Sequence, residues 1–202
     1  MTRLSRSESQ TNTRERLLEA ARSAFIGQGY ARTSLEAVAE AAGYSKGAVY
    51  SNFDSKEALF LELLEAKLDG EARAIGTMLG AHHHGARDLL GGLKRYLETR
   101  EDILDFTVTA VEFMTQLARA SGAANQCAAL YARQRGAMEM LIRRLFLAAG
   151  ALEPGRAADA AAGVIALTLG LATQRSLDRG AISAALWARV THDYLESMLR
   201  PS

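Results

Sequence analysis

The stretch SLEAVAEAAGYSKGAVYSNF, Ser34 to Phe53, decides how this chain is read. Two short apolar patterns flank one glycine: Leu35, Val38, Ala39 and Ala42 stand before Gly43, and Val49 follows it. The second pattern then carries Lys46, Gly47, Ala48, Tyr50, Ser51 and Asn52, small and polar where a core helix would be large and apolar. Two helices meeting at a tight angle need a small residue on the inside and a glycine at the turn. Ala39 and Gly43 meet both demands, and Val49 adds an apolar anchor beneath the second helix.

Outward from this pair, helix starts recur at short intervals. Asn12 with Glu15 forms a capping box ahead of the stripe Leu17, Leu18, Ala21 and Phe25, which Gly27 and Gly29 stop. Thr33 with Glu36 repeats the box for the helix before Gly43, and Ser45 caps the short helix after it. Asp54 with Glu57 opens a fourth helix, whose spacing of Phe60, Leu64, Leu68, Ile75 and Leu79 carries it to GAHHHG, Gly80 to Gly85. Longer helices follow near Ala86–Arg100, Asp102–Ser121 and Ala123–Ala149, then Arg156–Leu177 and Ile182–Leu199 beyond the break at Pro154 and Gly155. That predicts an all-α chain of about nine helices.

Composition agrees. Of 202 residues 49% are hydrophobic and 23% charged, an ordinary soluble globular balance with a core of useful size. Alanine and leucine far outnumber the β-branched residues, and there are two prolines, so helix formers dominate. The single Cys127 excludes an intramolecular disulfide framework and, with no apolar signal core in the first residues, predicts a cytoplasmic protein. The uncharged run Ala160 to Gln174 is short for a membrane span and reads as a buried helix, so no membrane partner is expected. No phosphate-cradling glycine loop, G-x-S-x-G or H-E-x-x-H occurs, which leaves an enzyme without a site and implies no cofactor.

Net charge is only +1, so nucleic-acid binding must rest on local distribution. Locally the case is good. Gly47 and Ala48 allow close approach to base edges, and Ala48 suits a thymine methyl. Lys46 suits guanine acceptors or phosphate, and the hydroxyls of Ser45, Tyr50 and Ser51 suit phosphate oxygens. Arg32, Thr33, Ser34 and Lys56 flank the unit at helix starts, Asn52 closes it, and no acid lies between Glu40 and Asp54. A plain helical hairpin, serving a dimeric interaction module without sequence-specific DNA binding, is the alternative.

The segment from Thr13 to Leu64 resembles the N-terminal domain of the tetracycline-repressor-like (TetR/AcrR) transcriptional regulators. The likeness is carried by G-Y-x-x-T-S at Gly29 to Ser34, by A-x-x-x-G at Ala39 to Gly43, and by K-G-A-V-Y-x-x-F-x-S-K-E-x-L from Lys46. At Ser51 and Asn52 the chain departs from the tyrosine or histidine and the histidine common in that family. The resemblance implies a repressor with a reading head at residues 12–57 behind a flexible arm at 1–11, and a ligand-binding and dimerisation body at 58–202. It also implies a homodimer whose last two helices form a four-helix bundle. The implied partners are a palindromic double-stranded DNA operator and a small, mostly apolar effector bound among the middle helices. On this reading the fourth helix alone joins head to body.

Phe106, Phe113, Met114 and Leu117 fall at helical spacing, with Tyr131 on the next long helix; core packing and a ligand cavity explain them equally well. Arg135, Gln174 and Arg175 are candidates to orient a polar group of the ligand, against a solvated face for the arginines. His82, His83 and His84 read as a solvated loop, because three consecutive side chains rarely converge on one metal. Cys127 reads as a small buried residue rather than a redox sensor.

Overall fold

The computed structural model describes residues 6–80, 85–117, 124–151 and 155–200. Among them are nine α-helices and no strand: α1 (Arg6–Gln28), α2 (Leu35–Ala41), α3 (Lys46–Tyr50), α4 (Lys56–Gly80), α5 (Ala86–Glu98), α6 (Glu101–Leu117), α7 (Ala124–Ala148), α8 (Arg156–Leu177) and α9 (Ala184–Leu199). His82, His83 and His84 lie outside the described residues, and no described cluster of His, Cys, Asp or Glu is arranged to hold a metal.

The helices sit close to where periodicity puts them; the starts of α6, α7 and α9 move by one or two residues, and in the head three starts differ. Helix α1 begins at Arg6, not at Asn12, since nothing from Ser7 to Thr11 breaks a helix; residues 6–11 are therefore helical rather than a free arm. The cap of α2 is Ser34, whose Oγ accepts from Ala37 N at 3.1 Å, one residue past Thr33. The cap of α4 is Ser55, accepting from Ala58 N at 3.1 Å, one residue past Asp54. Ser45 caps α3 as expected, accepting from Ala48 N at 3.3 Å. Gly29 and Gly43 end α1 and α2 with φ of 82° and 74°, a region where a side chain is strained.

Among the described residues three apolar centres result, the smallest of them around Leu97, Leu104, Ala172, Trp187 and Ala188 in the body. In the head, Leu17, Ala21 and Phe25 of α1 close on Val38, Ala39 and Val49, all essentially without exposure. An aromatic cluster then joins head to body: Phe60 of α4 lies 5.0 Å from Phe25, 4.6 Å from Phe113 and 5.7 Å from Phe106, ring centre to ring centre, and Tyr30 lies 4.9 Å from Phe113. Cys127 is buried beside this cluster and burial raises its thiol pKa, which is the opposite of a reactive thiolate. In the body, α4, α5, α7, α8 and α9 pack around Leu89, Leu145, Phe146 and Leu195.

Helix α8 is long and apolar enough to cross a membrane by length and composition, but it packs on α6, α7 and α9. Only part of it is covered within the chain: Ala158, Ala162, Ala166 and Gly170 form an outward strip of small residues. Its contact with α9 is close, because a Cβ at Gly163 would run into the Tyr194 ring.

Candidate nucleic-acid interface

Helix α3 is short, and its position depends on what braces it. Val49 is fully buried beneath it, Phe53 follows at 3% exposure, and Arg14 of α1 spans the seam. The Arg14 guanidinium lies 4.3 Å over the Phe53 ring, donates to the Asn52 carbonyl, and pairs with Glu62 of α4. Arg14 is therefore a brace between α1, α4 and the end of α3. Held this way, α3 turns Ser45, Lys46, Gly47, Tyr50 and Ser51 to solvent, with Ala48 and Asn52 half-buried at its edges.

The outward face is not bare. Lys46 Nζ stands 2.6 Å from Glu36 Oε1, and the Tyr50 hydroxyl donates to the same oxygen at 3.1 Å. Lys46 also lies 5.6 Å over the Tyr50 ring. The hydrogen bond from Lys46 holds the Glu36 carboxyl down at about 2, so the pair is charged at neutral pH. Because the carboxyl pKa is depressed by folding, the pairing persists above the ordinary carboxylate range and is lost only as pH falls through about 2. This acid lies outside the acid-free stretch from Glu40 to Asp54, because Glu36 reaches α3 across the turn that Ala39 and Gly43 fix.

The remaining candidates separate. Arg32 and Ser34 are exposed at the start of α2, with Arg32 Nε donating to Gln28 O at 3.1 Å. Thr33 is 2% exposed, and its hydroxyl donates inward to Gly29 O at 2.8 Å, so its side chain does not face a phosphate. Lys56 donates to the carbonyls of Tyr30 at 3.1 Å and Ala31 at 3.4 Å, and lies 4.4 Å over the Tyr30 ring. Ser51 and Asn52 both donate to Ala48 O, at 2.9 Å and 2.8 Å.

The loop that carries Tyr30 to Thr33 is also gripped from the body. Glu112 of α6 accepts from the backbone N–H of Tyr30 at 2.7 Å and of Ala31 at 3.0 Å, and Thr109 of α6 donates to Phe25 O at 3.3 Å. Helix α6 therefore joins head to body beside α4, which corrects the expectation that α4 acts alone.

A cavity of about 130 Å³ lies in the body, walled by α4 to α9. Of the side chains proposed to line it, Phe106 and Tyr131 do. Phe113, Met114 and Leu117 turn to the head-body core instead, and Arg135 and Gln174 are exposed. A shift of one residue turns a helical side chain by about 100°, so Gln134 reaches the wall where Arg135 does not. Arg175 is buried at 7% exposure, not solvated: it pairs with Glu101, lies 2.9 Å from Asp105 and donates to the Ile182 carbonyl.

Residues 17–63 match the family described as bacterial regulatory proteins, tetR family. Residues 86–200, more than half of the chain, match the family described as BetI-type transcriptional repressor, C-terminal. The chain belongs to the TetR family. A TetR-family relative, the HTH-type transcriptional regulator TtgR of Pseudomonas putida, is 42% identical over 87 residues, which is 43% of this chain and 36% of TtgR. The match thus spans about a third of that relative's length. A TetR transcription regulator from Haloarcula marismortui superposes with a TM-score of 0.73 at 17% identity, covering 94% of this chain and all of that one. A transcriptional regulator from Saccharomonospora viridis, solved in complex with choline, gives 0.72 at 20% identity over 92% of this chain and 96% of that one. These TetR-family likenesses are of fold, and the family is one of regulators rather than enzymes.

Proposed function

We propose that this chain is a ligand-responsive repressor that reads a palindromic DNA operator as a homodimer through α3 and is released by a small apolar molecule in the body cavity. The observation that carries the reading is the braced, outward α3 face with its two polar reading side chains, Lys46 and Tyr50. Ser45, Gly47 and Ala48 allow the close approach, while Arg32, Ser34 and Ser51 meet the backbone; Lys56 and Thr33 act by holding the preceding loop. Retention of one promoter fragment in a gel-shift assay, and its release by a compound that raises the melting temperature of the free protein, test the whole reading.

Lys46→Ala and Tyr50→Ala should each weaken operator binding by about 1–3 kcal/mol at fixed salt while leaving stability nearly unchanged. Glu36→Gln should act in the opposite sense. With its negative charge gone, Lys46 is released from its ion pair while the amide oxygen still accepts from Tyr50, so affinity for any DNA rises and the salt dependence steepens by about one phosphate contact. Unchanged binding in all three variants would remove α3 from the interface.

The dimer reading rests on the outward strip of α8, with α9 beside it. Leu169 faces the cavity, so a charge there would test the core rather than the contact. Ala166→Glu is the cleaner probe: light scattering should show folded monomers, because a carboxylate cannot be buried unpaired between two copies. A persistent dimer would place the contact elsewhere.

In the Saccharomonospora structure the ligand is choline, a cation. Here the carboxylate on the cavity wall, Glu71, is neutralised by Lys67 at 3.0 Å and Arg100 at 2.6 Å, so a bound cation finds no free countercharge.

A further inference from the structure

Two polar atoms in the cavity wall have no partner. Gln134 Oε1 on α7 and Thr191 Oγ1 on α9 are buried and make no hydrogen bond, although Thr191 is only 1% exposed. Three other polar wall groups are satisfied: Thr107 donates to Ile103 O at 2.7 Å, Trp187 Nε1 donates to Thr168 Oγ1 at 3.1 Å, and Thr168 donates to Val164 O at 2.9 Å. An orphaned buried polar atom is costly to a fold unless something meets it. Both orphans face one apolar chamber, which a ligand can fill.

The charged groups of the wall point the same way. Lys67 and Glu71 are the charged side chains among its described residues. They belong to a closed set of two acids and two bases, in which Lys67 also lies 2.6 Å from Asp102 and Arg100 lies 2.8 Å from Asp102. Tyr96 donates to Glu71 at 2.7 Å, which uses its other oxygen. A charged ligand would enter a low-polarity space whose own charges are already matched.

We propose that the cavity takes an uncharged, mostly apolar molecule carrying an O–H or N–H group, which donates to Gln134 Oε1, with Thr191 as its second polar contact. This rests on the reading of the cavity as the effector site, and it adds the ligand's chemistry. The volume of about 130 Å³ corresponds to a body on the order of ten heavy atoms.

Trp187 is the single tryptophan of the chain and stands on the cavity wall, so its fluorescence reports occupancy without any DNA. The probes are octan-1-ol, 1-methoxyheptane of equal heavy-atom count but no donor, octanoate and octylammonium. The alcohol should bind about tenfold tighter than the ether, and both charged probes at least about tenfold weaker than the alcohol. Gln134→Leu should erase the difference between alcohol and ether, and Thr191→Val should weaken both. Each variant should melt no lower than wild type, because each removes an orphaned polar atom. Charged probes binding as tightly as the alcohol, equal binding of alcohol and ether by the wild type, or no response of Trp187 to any probe would overturn the proposal. So would a preference for the alcohol that survives Gln134→Leu. The expected order of binding supports the proposal whether or not operator DNA is released; failure of release counts only against the effector reading.

Discussion

A chain carrying Arg175→Met should be less stable than wild type by about 3–5 kcal/mol, read as a lower denaturation midpoint at unchanged slope. Arg175 sits near the end of α8 and ties three elements together: Glu101 and Asp105 of α6, and the Ile182 carbonyl leading into α9. Methionine fills much of the same volume, so the loss measures polar groups left behind. Asp105 keeps only Arg179, 3.4 Å away and exposed, and the Ile182 carbonyl loses its donor. Arg175→Lys should recover part of the loss, since a lysine keeps the charge but not the fork that meets two acids and a carbonyl at once. A change under about 1 kcal/mol for methionine would mean that the cluster costs as much to bury as it returns.

The second large effect belongs to Glu112→Ala, expected to cost about 2–4 kcal/mol, because two backbone N–H groups lose a charged acceptor. The site has little freedom to adapt. Gly29 precedes it with φ of 82°, and a Cβ there would stand 2.8 Å from the Glu112 carboxylate. Lys56 donates to the carbonyls of the same loop and, as an ammonium, cannot accept, so it does not replace the acceptor lost by Tyr30 N–H, while the exposed Ala31 N–H turns to water. Hydrogen exchange at these two amides should accelerate, and the response of operator binding to ligand should fall while binding itself survives through α4. Glu112→Gln, which keeps one acceptor oxygen, should lie between. Normal exchange in the alanine variant would show that the loop is held by the aromatic cluster alone.

Most of the fold was legible because helical spacing of leucines and alanines is a long, repeated signal. Glycine with positive φ marked the ends of α1 and α2 for the same reason: few other residues can stand there. The starts were less legible. Thr33 and Ser34, or Asp54 and Ser55, are neighbours of equal capping ability, and tertiary packing chose the second of each pair by burying Thr33 and placing Ser55 before α4.

The candidate reading face followed from the odd chemistry of Lys46 to Asn52. What escaped were partners distant in sequence: Glu36 on Lys46, Glu112 on the loop at Tyr30, and Arg175 among Glu101 and Asp105. Each is a charged residue whose helix position alone allows solvent or partner equally. The cavity wall was misplaced by small angles, since the neighbours Gln134 and Arg135 have opposite surroundings.

The self-paired face of α3 bears on how such a protein would find its target. A genome offers a vast excess of wrong sites, and a bare lysine and tyrosine would adhere to all of them through phosphate. With Lys46 and Tyr50 held by Glu36, an encounter with arbitrary duplex would first have to break that pairing, which would shorten residence there. On the proposed function, only a sequence whose base edges engage both side chains together would retain the protein. On that function the carboxylate would trade peak affinity for turnover during the search, favouring many brief landings over prolonged sliding.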